Sequence, residues 1–318
     1  MSAADLDQYR VGLTGYCYRM LGAAAEAEDA VQETLLRAWR AAETYDPAKA
    51  SLSTWLYRIA TNICLDMTRS AQRRAIAMDL GPAATPGPDV GEPLPAAHWV
   101  GPMPDARVLP SDPAELVAQR ETVRLAFVAA LQHLPPRQRA VLILRDVLAW
   151  SAADVACLLD TSAASVNSAL QRARATLRRP EPADPLDDAH RALLARYVDA
   201  FERYDVEALT ALLHEDATMS MPPFPWWLRG KENLRLALAH SDGTCVGHRL
   251  VPAAVNGAGA FGQYLPHEGR YVPFALVVIE VVDGLIMHTT TFLDATGDFY
   301  RFGLPASFTA DEFPPAVS

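Results

Sequence analysis

The stretch that decides the fold of the N-terminal part is EDAVQETLLRAW at positions 28–39, followed after a short loop by LSTWLYRIATNICLD at 52–66. Apolar side chains recur there at every third or fourth position, which is the spacing of one helical face. They are Ala27, Val31, Leu35 and Trp39 in the first segment, Leu56, Ala60, Ile63 and Met67 in the second, and Leu13, Cys17, Met20 and Leu21 in a run before both. Three helices are therefore predicted in residues 6–74, with a turn-rich loop at 44–51 and Ser53 as the N-cap of the third helix.

The third predicted helix has a polar side that suits single-stranded DNA. It carries Tyr57, Arg58, Thr61, Asn62, Arg69, Ser70 and Arg73, with Asp66 as the acid near them. Cations can hold phosphates, while flat side chains and amides hold unstacked bases. The same pattern also fits a solvated helix face with Trp39 and Trp55 in the core, and periodicity alone leaves both interpretations open.

A second helical block at 118–179 contains helix-turn-helix spacing. Residues 151–158 predict a short helix, 159–161 a turn, and Ser162 the cap of a longer helix that reaches Leu177. Apolar side chains fall on one side of that helix, and small, amide and cationic side chains on the other, which suits a major groove. The alternative is an ordinary helical hairpin whose arginines favour the negative end of the helix dipole.

Stretches rich in proline, the first also rich in glycine, divide the chain into three folded parts. From Gly81 to Pro113 there are nine prolines and four glycines, and a second proline-rich stretch runs from Arg179 to Pro185. The predicted parts are helical domains at 1–75 and 118–179 and a third domain at 188–312, joined by linkers at 76–117 and 180–187. An acidic linker rich in proline and glycine is expected to be extended and mobile, so that the helical domains could sit far apart on a long ligand.

The third part changes from helices to strands. Helices are predicted at 190–204, at 207–213 and from Gly230, and strands at 247–256, 261–265, 271–282 and 285–294. Asp283-Gly284 between the last two strands is a two-residue hairpin signal. The fold class is therefore multidomain, with two all-α helical domains, both candidates for DNA binding, followed by an α+β cone.

The net charge of −10 hides an uneven distribution. Residues 181–318 hold 9 Lys and Arg against 19 Asp and Glu, whereas residues 119–179 hold 9 basic against 4 acidic side chains. The second helical block could therefore follow a phosphate backbone although the whole chain is acidic. No basic leader, apolar span or metal-ligand spacing is present in the sequence, so we expect a cytoplasmic protein with no membrane contact, metal or cofactor, and reduced thiols in cores.

The first block closely resembles region 2 of sigma-70 family factors of the extracytoplasmic-function (ECF) type, through residues 28–39 and 52–66. The resemblance implies that the first of these helices binds the clamp helices of core RNA polymerase, through Asp29, Gln32, Glu33, Leu36 and Arg37. It also implies that the following loop and helix open the −10 promoter element, with DNA roles for Lys49, Trp55, Arg58, Asn62, Asp66, Arg69 and Arg73. A base swung out of the duplex loses a few kcal/mol of stacking and pairing, which a preformed pocket must return.

The second block resembles region 4 of the same family, through residues 134–142 and 166–174. That region reads the −35 element and contacts the polymerase flap, which implies DNA roles for Ser165, Ser168, Gln171, Arg172, Arg174 and Arg178. Asp160 stands where the family commonly has glycine in the turn, and Asp tolerates a left-handed conformation better than most residues. Two motifs in this order, separated by a linker, are typical of a sigma factor that is monomeric when free.

The third block is similar to SnoaL-like domains, through the pattern of residues 190–300. Such cones enclose a pocket, and the candidate lining residues for a small-molecule ligand are Met219, Met221, Trp226, Trp227, Phe261, Tyr264, His288 and Phe292. Those side chains fit a plain core equally well. The resemblance implies that the extension tunes sigma activity without a separate anti-sigma protein.

Two other functions remain open at this point. One is a one-component helix-turn-helix regulator that senses a ligand in the cone. The other is a cyclase or isomerase fused to DNA-binding helices, for which Asp216, His248 and His288 are the candidate acids and bases. The predicted function is a sigma factor that performs no covalent chemistry, because only that function uses both helical blocks.

Overall fold

The computed structural model describes the chain except residues 1–2, 70–73, 88, 241–243 and 313–318. It contains two compact units. The first consists of Met1–Ala75 and Ala97–Pro180, and the second of Ile76–Ala96 and Glu181–Ser318. In the described part of the chain, no helix is both long enough and apolar enough to cross a membrane.

The first unit is helical throughout. Its region 2 part contains α1 (Ala3–Asp7), α2 (Arg10–Leu21), α3 (Ala24–Arg40) and α4 (Leu52–Met67). After the chain returns from the second unit, it forms α6 (Asp105–Val108), α7 (Pro113–Arg120), α8 (Leu125–Gln132), α9 (Pro136–Leu142), α10 (Ala152–Leu158) and α11 (Ala163–Thr176). The first three predicted helices are confirmed as α2, α3 and α4, and the helix-turn-helix as α10 and α11.

Serine side chains begin three of these helices. Ser162 caps α11 by accepting the N–H of Ser165, as the sequence predicts, and Ser151 caps α10 by accepting the N–H of Asp154. The prediction of Ser53 as a cap is wrong, because Ser51 accepts the N–H of Thr54 and α4 begins at Leu52. The chain leaves its extended conformation two residues earlier than the apolar periodicity indicates.

The two helical regions pack against each other inside the first unit. Fully buried Arg19 of α2 donates from Nη2 to Thr122 Oγ1 at 2.7 Å. Buried Arg139 of α9 donates to the carbonyl oxygen of Met20 and, at 2.5 Å, to Gln132 Oε1. Burying a guanidinium is costly unless its donors are satisfied, so these bonds specify one arrangement of α2 against α8 and α9.

The connection between the two regions differs from the expected extended spacer. Its ends lie together in the first unit, where Ala75 and Trp99 form a parallel bridge and Val100 N–H donates to Ala75 O at 3.0 Å. Residues 76–96, which include the short helix α5 (Ala77–Leu80), belong to the second unit. The proline-rich composition correctly indicates little regular structure, but it does not indicate which surface the segment contacts.

The second unit is a six-stranded sheet with helices. Its helices are α12 (Asp188–Glu202), α13 (Val206–Ala211) and α14 (Lys231–His240). The strands are β1 (Leu213–Ser220), β2 (Trp227–Arg229), β3 (Arg249–Val255), β4 (Ala258–His267), β5 (Arg270–Val282) and β6 (Leu285–Phe292), in the order β2-β1-β6-β5-β4-β3. The sequence predicts the last four strands but misses β1, whose first residue Leu213 it assigns to the preceding helix, and the three-residue strand β2.

The core of the second unit lies between one face of the sheet and the helices. Phe261, Val277 and Ile279 contribute to this cluster, and Tyr197 of α12 lies 6.1 Å from Phe261 between ring centroids. Gly259 permits the close approach of α12, because a Cβ atom there would meet Leu194 Cδ1 at 2.5 Å.

The hairpin between β5 and β6 is confirmed. Asp283 and Gly284 both have positive φ, 53° and 71°, as a type I′ turn requires. Both backbone N–H groups also donate to the carboxylate of Asp184, at 3.1 and 2.7 Å. The turn therefore holds the segment that leads into α12.

Candidate nucleic-acid interface

The loop before α4 and the start of that helix form an aromatic cleft with cations at its rim. Tyr45 and Trp55 lie 5.1 Å apart between ring centroids, and they line a cleft of about 200 Å³ together with Lys49 and Arg58. Lys49 lies 3.5 Å from Asp46 in an ion pair, and its side chain is 83% exposed. Aromatic faces with nearby cations suit an unstacked base and its phosphates. Tyr45 is a member of this cleft that the sequence analysis missed.

A stripe of exposed side chains continues from the cleft along α4. It consists of Trp55, Arg58, Asn62, Asp66 and Arg69, which the helix brings to one side because they are three or four residues apart. Trp55 is half-buried and the other four are exposed. Arg69 lies 3.4 Å from Asp66 in an exposed ion pair. Arg73, the last residue predicted for this surface, lies outside the described residues.

Two residues predicted for the polar side of α4 lie in the core instead. Thr61 is fully buried and shares a 2.7 Å hydrogen bond with Tyr16 OH, and burial raises the pKa of that tyrosine well above its ordinary value. Tyr57 is buried with its ring 5.3 Å from Tyr16 and 5.1 Å from Trp150. Both residues were misassigned because each combines a polar group with enough apolar surface to be buried.

Helix α10 of the helix-turn-helix borders the same cleft. Cys157 and Leu158 line it opposite the aromatic pair, and Trp150, just before α10, packs on Tyr57 of α4. Cys157 is exposed, which corrects the expectation that all four thiols lie in cores. The predicted −10 surface and the helix-turn-helix are therefore neighbours in this structure.

Helix α11 presents the predicted −35 residues to solvent. Val166, Leu170 and Ala173 are buried, and every residue predicted to read DNA is exposed: Ser165, Ser168, Gln171, Arg172, Arg174 and Arg178. The turn before α11 holds Asp160 at φ 52°, the left-handed conformation expected where the family commonly has glycine. The helix can therefore offer its small N-terminal residues to a groove and its arginines to phosphates.

Arg174 has a protein partner that the sequence analysis missed. Its Nε and Nη2 atoms donate to the two carboxylate oxygens of Asp146, at 2.9 and 2.6 Å. Asp146 is only 10% exposed, and its hydrogen bonds and charge raise the pKa of Arg174. It lies in a π-helical turn, Ile143–Val147, and such turns are frequent at functional sites.

The exposed side of α3 carries the predicted polymerase contacts. Asp29, Gln32, Leu36 and Arg37 are exposed, and Glu33 is half-buried with its carboxylate 2.6 Å from Arg37 Nε. Trp39, which the apolar periodicity assigned to the buried face, is 59% exposed beside Leu36 at 39%. An exposed tryptophan next to an exposed leucine is typical of a protein-binding surface.

The predicted pocket residues of the second unit fall on two sides of the sheet. Phe261 and Trp226 belong to the main core cluster, with Met219 and Met221 packed against it. The opposite face of the sheet carries Tyr264, His288 and Phe292, because successive side chains of a strand point to opposite faces. On that face the Tyr264 ring contacts Phe299 and Phe308. Trp227 lies in the edge strand β2. The sheet therefore does not bring all eight side chains into one cavity.

The three candidate acids and bases are also separated. Gln263 Nε2 donates to His248 Nδ1 at 2.8 Å on the core face, and burial lowers the pKa of His248. His288 Nδ1 lies 2.8 Å from Thr218 Oγ1 on the other face, where it is opposite Glu280 in the strand register. Asp216 is exposed and paired with Arg229 at 3.0 Å.

Two helical regions, one with an aromatic cleft and one with a helix-turn-helix, define the class of RNA polymerase sigma factors. Three family descriptions match in this order: Sigma-70 region 2 at residues 6–74, Sigma-70 region 4 at 124–177 and SnoaL-like domain at 194–289. The chain belongs to the ECF family of sigma-70 factors and is a sigma factor with a C-terminal SnoaL-like domain.

Relatives match this chain over nearly its whole length. The ECF RNA polymerase sigma factor SigG of Mycobacterium tuberculosis H37Rv is 45% identical over 317 residues, covering 96% of this chain and 84% of the relative. SigJ of the same strain is 30% identical over 304 residues, covering 90% and 89%. The crystal structure of Mycobacterium tuberculosis SigJ aligns with a TM-score of 0.61 at 25% identity, over 96% of this chain and 100% of that chain.

Proposed function

We propose that this sigma factor captures an unstacked −10 base in the Tyr45–Trp55 cleft and reads −35 duplex with α11. The observation that carries the proposal is the cleft, because aromatic faces, exposed cations and a volume of about 200 Å³ occur together at the start of α4. Stacking on an aromatic side chain contributes about 1–3 kcal/mol per base, which offsets part of the cost of unpairing it.

Core RNA polymerase is the proposed partner of α3. Leu36 and Trp39 supply exposed apolar surface there, and Asp29, Gln32 and Arg37 surround them with polar groups. An apolar centre within a polar rim is the usual arrangement of a specific protein interface. The proposal implies that the factor acts in the cytoplasm, where polymerase transcribes, and that it is monomeric before it binds.

The first unit must open to engage a promoter. A compact unit of about 160 residues has a diameter near 40 Å. Elements named for positions −10 and −35 lie about 25 base pairs apart, which is about 80 Å at ~3.4 Å per base pair. We therefore infer that the buried contacts of Arg19 and Arg139 separate when α4 and α11 bind their elements.

A regulatory role is proposed for the C-terminal domain, without covalent chemistry. His248 and His288 lie on opposite faces of the sheet, and Asp216 is exposed in an ion pair, so no shared reaction centre supports a cyclase or isomerase. A small ligand remains a candidate effector. The indole N–H of Trp226 supports it, because this group is buried in the core cluster without a hydrogen-bond partner among the described residues.

Transcription in vitro with purified core enzyme tests the proposal. We expect Trp55→Ala to slow open-complex formation about tenfold on duplex promoters, because the stacking surface is lost. A template with a preformed mismatch bubble at −10 should restore most of the rate. Equal defects on both templates would contradict base capture by the cleft. If the wild-type chain does not associate with core enzyme in a pull-down, the one-component regulator becomes the better function.

A further inference from the structure

The cleft before α4 is lined by two regions of the first unit. Tyr45 and Trp55, with ring centroids 5.1 Å apart, supply its aromatic wall. Cys157 and Leu158 of α10 complete the lining and leave a volume of about 200 Å³. Clefts that surround a ligand with aromatic and apolar side chains, and add a few polar groups, are typical sites for small molecules. A promoter base is joined on both sides to the rest of its strand, whereas a free nucleotide can enter such a cleft by itself.

The aromatic wall is fixed by hydrogen bonds within its own loop. Tyr45 OH donates to Ala50 O at 3.1 Å, which ties the ring to the end of the loop. Ser51 then caps α4 by accepting the N–H of Thr54 at 3.1 Å. Because the wall is held before any ligand arrives, binding requires little further ordering of side chains and loop.

The rim of the cleft carries the charges that phosphate groups require. Lys49 and Arg58 are both exposed, and Asp46 is the one carboxylate in the lining. Two cations and one acid leave the lining with a net positive charge, which attracts an anion. A guanidinium can also donate two N–H groups to one phosphate. Aromatic surface beside such cations matches the two parts of a nucleotide, a flat base and a charged phosphate chain.

We propose that the cleft of the free protein is a binding site for a free nucleotide, with the base against Trp55 and the phosphates at Lys49 and Arg58. The bound nucleotide contacts α4 and α10 together, so it stabilises the arrangement in which both line the cleft. It also occupies the surface proposed to capture the −10 base, and it therefore competes with promoter opening. Only this competition rests on the proposed function.

Alkylation of Cys157 in the full-length protein tests the binding, with ADP as the probe. This thiol is exposed and lines the cleft, whereas Cys245 of the C-terminal domain serves as the internal control. Saturating ADP should slow the reaction of Cys157 with iodoacetamide at least about tenfold, with the reaction of Cys245 unchanged. Adenosine lacks the phosphates and pyrophosphate lacks the base, so each should protect Cys157 far less at the same concentration. No protection by ADP, or equal protection by pyrophosphate, would overturn the proposal.

Arg58→Gln tests whether the phosphates lie at the rim. We expect this variant to raise the Kd of ADP about tenfold and to leave adenosine binding nearly unchanged, because a charge-assisted hydrogen bond to phosphate is lost. Arg40→Gln is the matched control, since it removes an exposed arginine at the end of α3, outside the cleft lining. The same Kd for ADP in both variants would refute the assignment of Arg58.

Promoter opening without substrate nucleotides tests the competition. ADP is added to the sigma factor before core enzyme and a duplex promoter. We expect the rate of opening to fall to about half near the Kd of ADP measured by alkylation, and Arg58→Gln to need about tenfold more ADP for the same fractional loss. An unchanged rate at saturating ADP, with Cys157 protected, would rule out competition. If the wild type opens no promoter even without ADP, the proposed function fails while nucleotide binding to the free protein stands.

Discussion

Single residues show where polarity and burial disagree with the sequence pattern. Trp39 occupies a position that apolar periodicity assigns to the core, yet it is 59% exposed, while Tyr57 and Thr61 occupy polar-looking positions and are buried. Both errors concern side chains with mixed character, which pack or face solvent according to their neighbours. Trp39 is the more informative of these residues. Packing within this chain does not explain why a tryptophan faces solvent beside exposed Leu36.

Truncating exposed Trp39 should weaken polymerase binding without unfolding the protein. We expect Trp39→Ala to weaken the affinity for core enzyme at least about tenfold, because exposed aromatic residues often dominate interface energy. Val117→Ala is the matched control, since Val117 is 70% exposed elsewhere in the first unit. Binding measured by fluorescence anisotropy checks this. If Trp39→Ala lowered the free energy of unfolding by as much as it lowered the free energy of binding, a surface role would be contradicted.

His248 should make the C-terminal domain sensitive to acid. Burial lowers its pKa in the folded state below the ordinary 6.5, so the unfolded chain binds the proton more readily. This contribution to stability is fully present above about pH 6.5 and is lost as pH falls through the folded value. His248→Gln should therefore flatten the fall in melting temperature between about pH 7 and 5. Parallel curves for both proteins would contradict this.

At the scale of elements, helix ends and turns decide how the proposed DNA-binding surface of α11 is presented. Ser162 satisfies an otherwise unpaired N–H at the start of α11, and Asp146 holds Arg174 at its far end. The Ser162 cap was readable from sequence because it is local. The Asp146 contact joins residues 28 positions apart, and no local rule announces it.

Removing the cap should destabilise α11. Ser162→Ala is expected to lower the free energy of unfolding by about 1 kcal/mol, because an N-terminal N–H loses its acceptor. Ser168→Ala, at an exposed position of the same helix, should change it by less than about 0.5 kcal/mol. Chemical denaturation monitored by circular dichroism measures both. Equal effects would show that the cap contributes no more than an ordinary surface serine.

Neutralising Asp146 should free Arg174 for phosphate. We expect Asp146→Asn to steepen the dependence of promoter affinity on salt by about one phosphate contact, and to weaken discrimination between −35 sequences. Arg172→Ala should change the salt slope in the opposite direction, since an exposed cation is lost. Titrations at four or more salt concentrations measure the slopes. An unchanged slope in Asp146→Asn would mean that Arg174 stays away from the backbone.

For the whole molecule, the main consequence is that the two regions proposed to bind DNA pack against each other within the first unit. Buried Arg19 and Arg139 join them, and both would need new partners or water on separation. Such polar contacts specify an arrangement at modest net stability, which suits an interface that must open.

Opening can be followed by energy transfer between dyes on the two regions. One dye on exposed Cys157 and another on a cysteine introduced at Glu43 should report a short distance in the free protein. Adding core enzyme and promoter should increase it to about 80 Å, the separation of the two elements on duplex DNA. A short distance retained in a transcribing complex would refute the opening step.

The sequence by itself determined the helices of regions 2 and 4, the helix-turn-helix with its Ser162 cap, the Asp283-Gly284 hairpin and the change to a sheet after residue 188. These features depend on local propensity and on periodicity within one element, which a linear pattern contains. Only the tertiary structure decided that Tyr45 joins Trp55, that Asp146 holds Arg174, that Trp39 is exposed, and that Ala84 N–H donates to Trp227 O in strand β2. Each of these is a contact between residues brought together by packing, and an extended proline-rich segment has no periodicity from which its partner could be read.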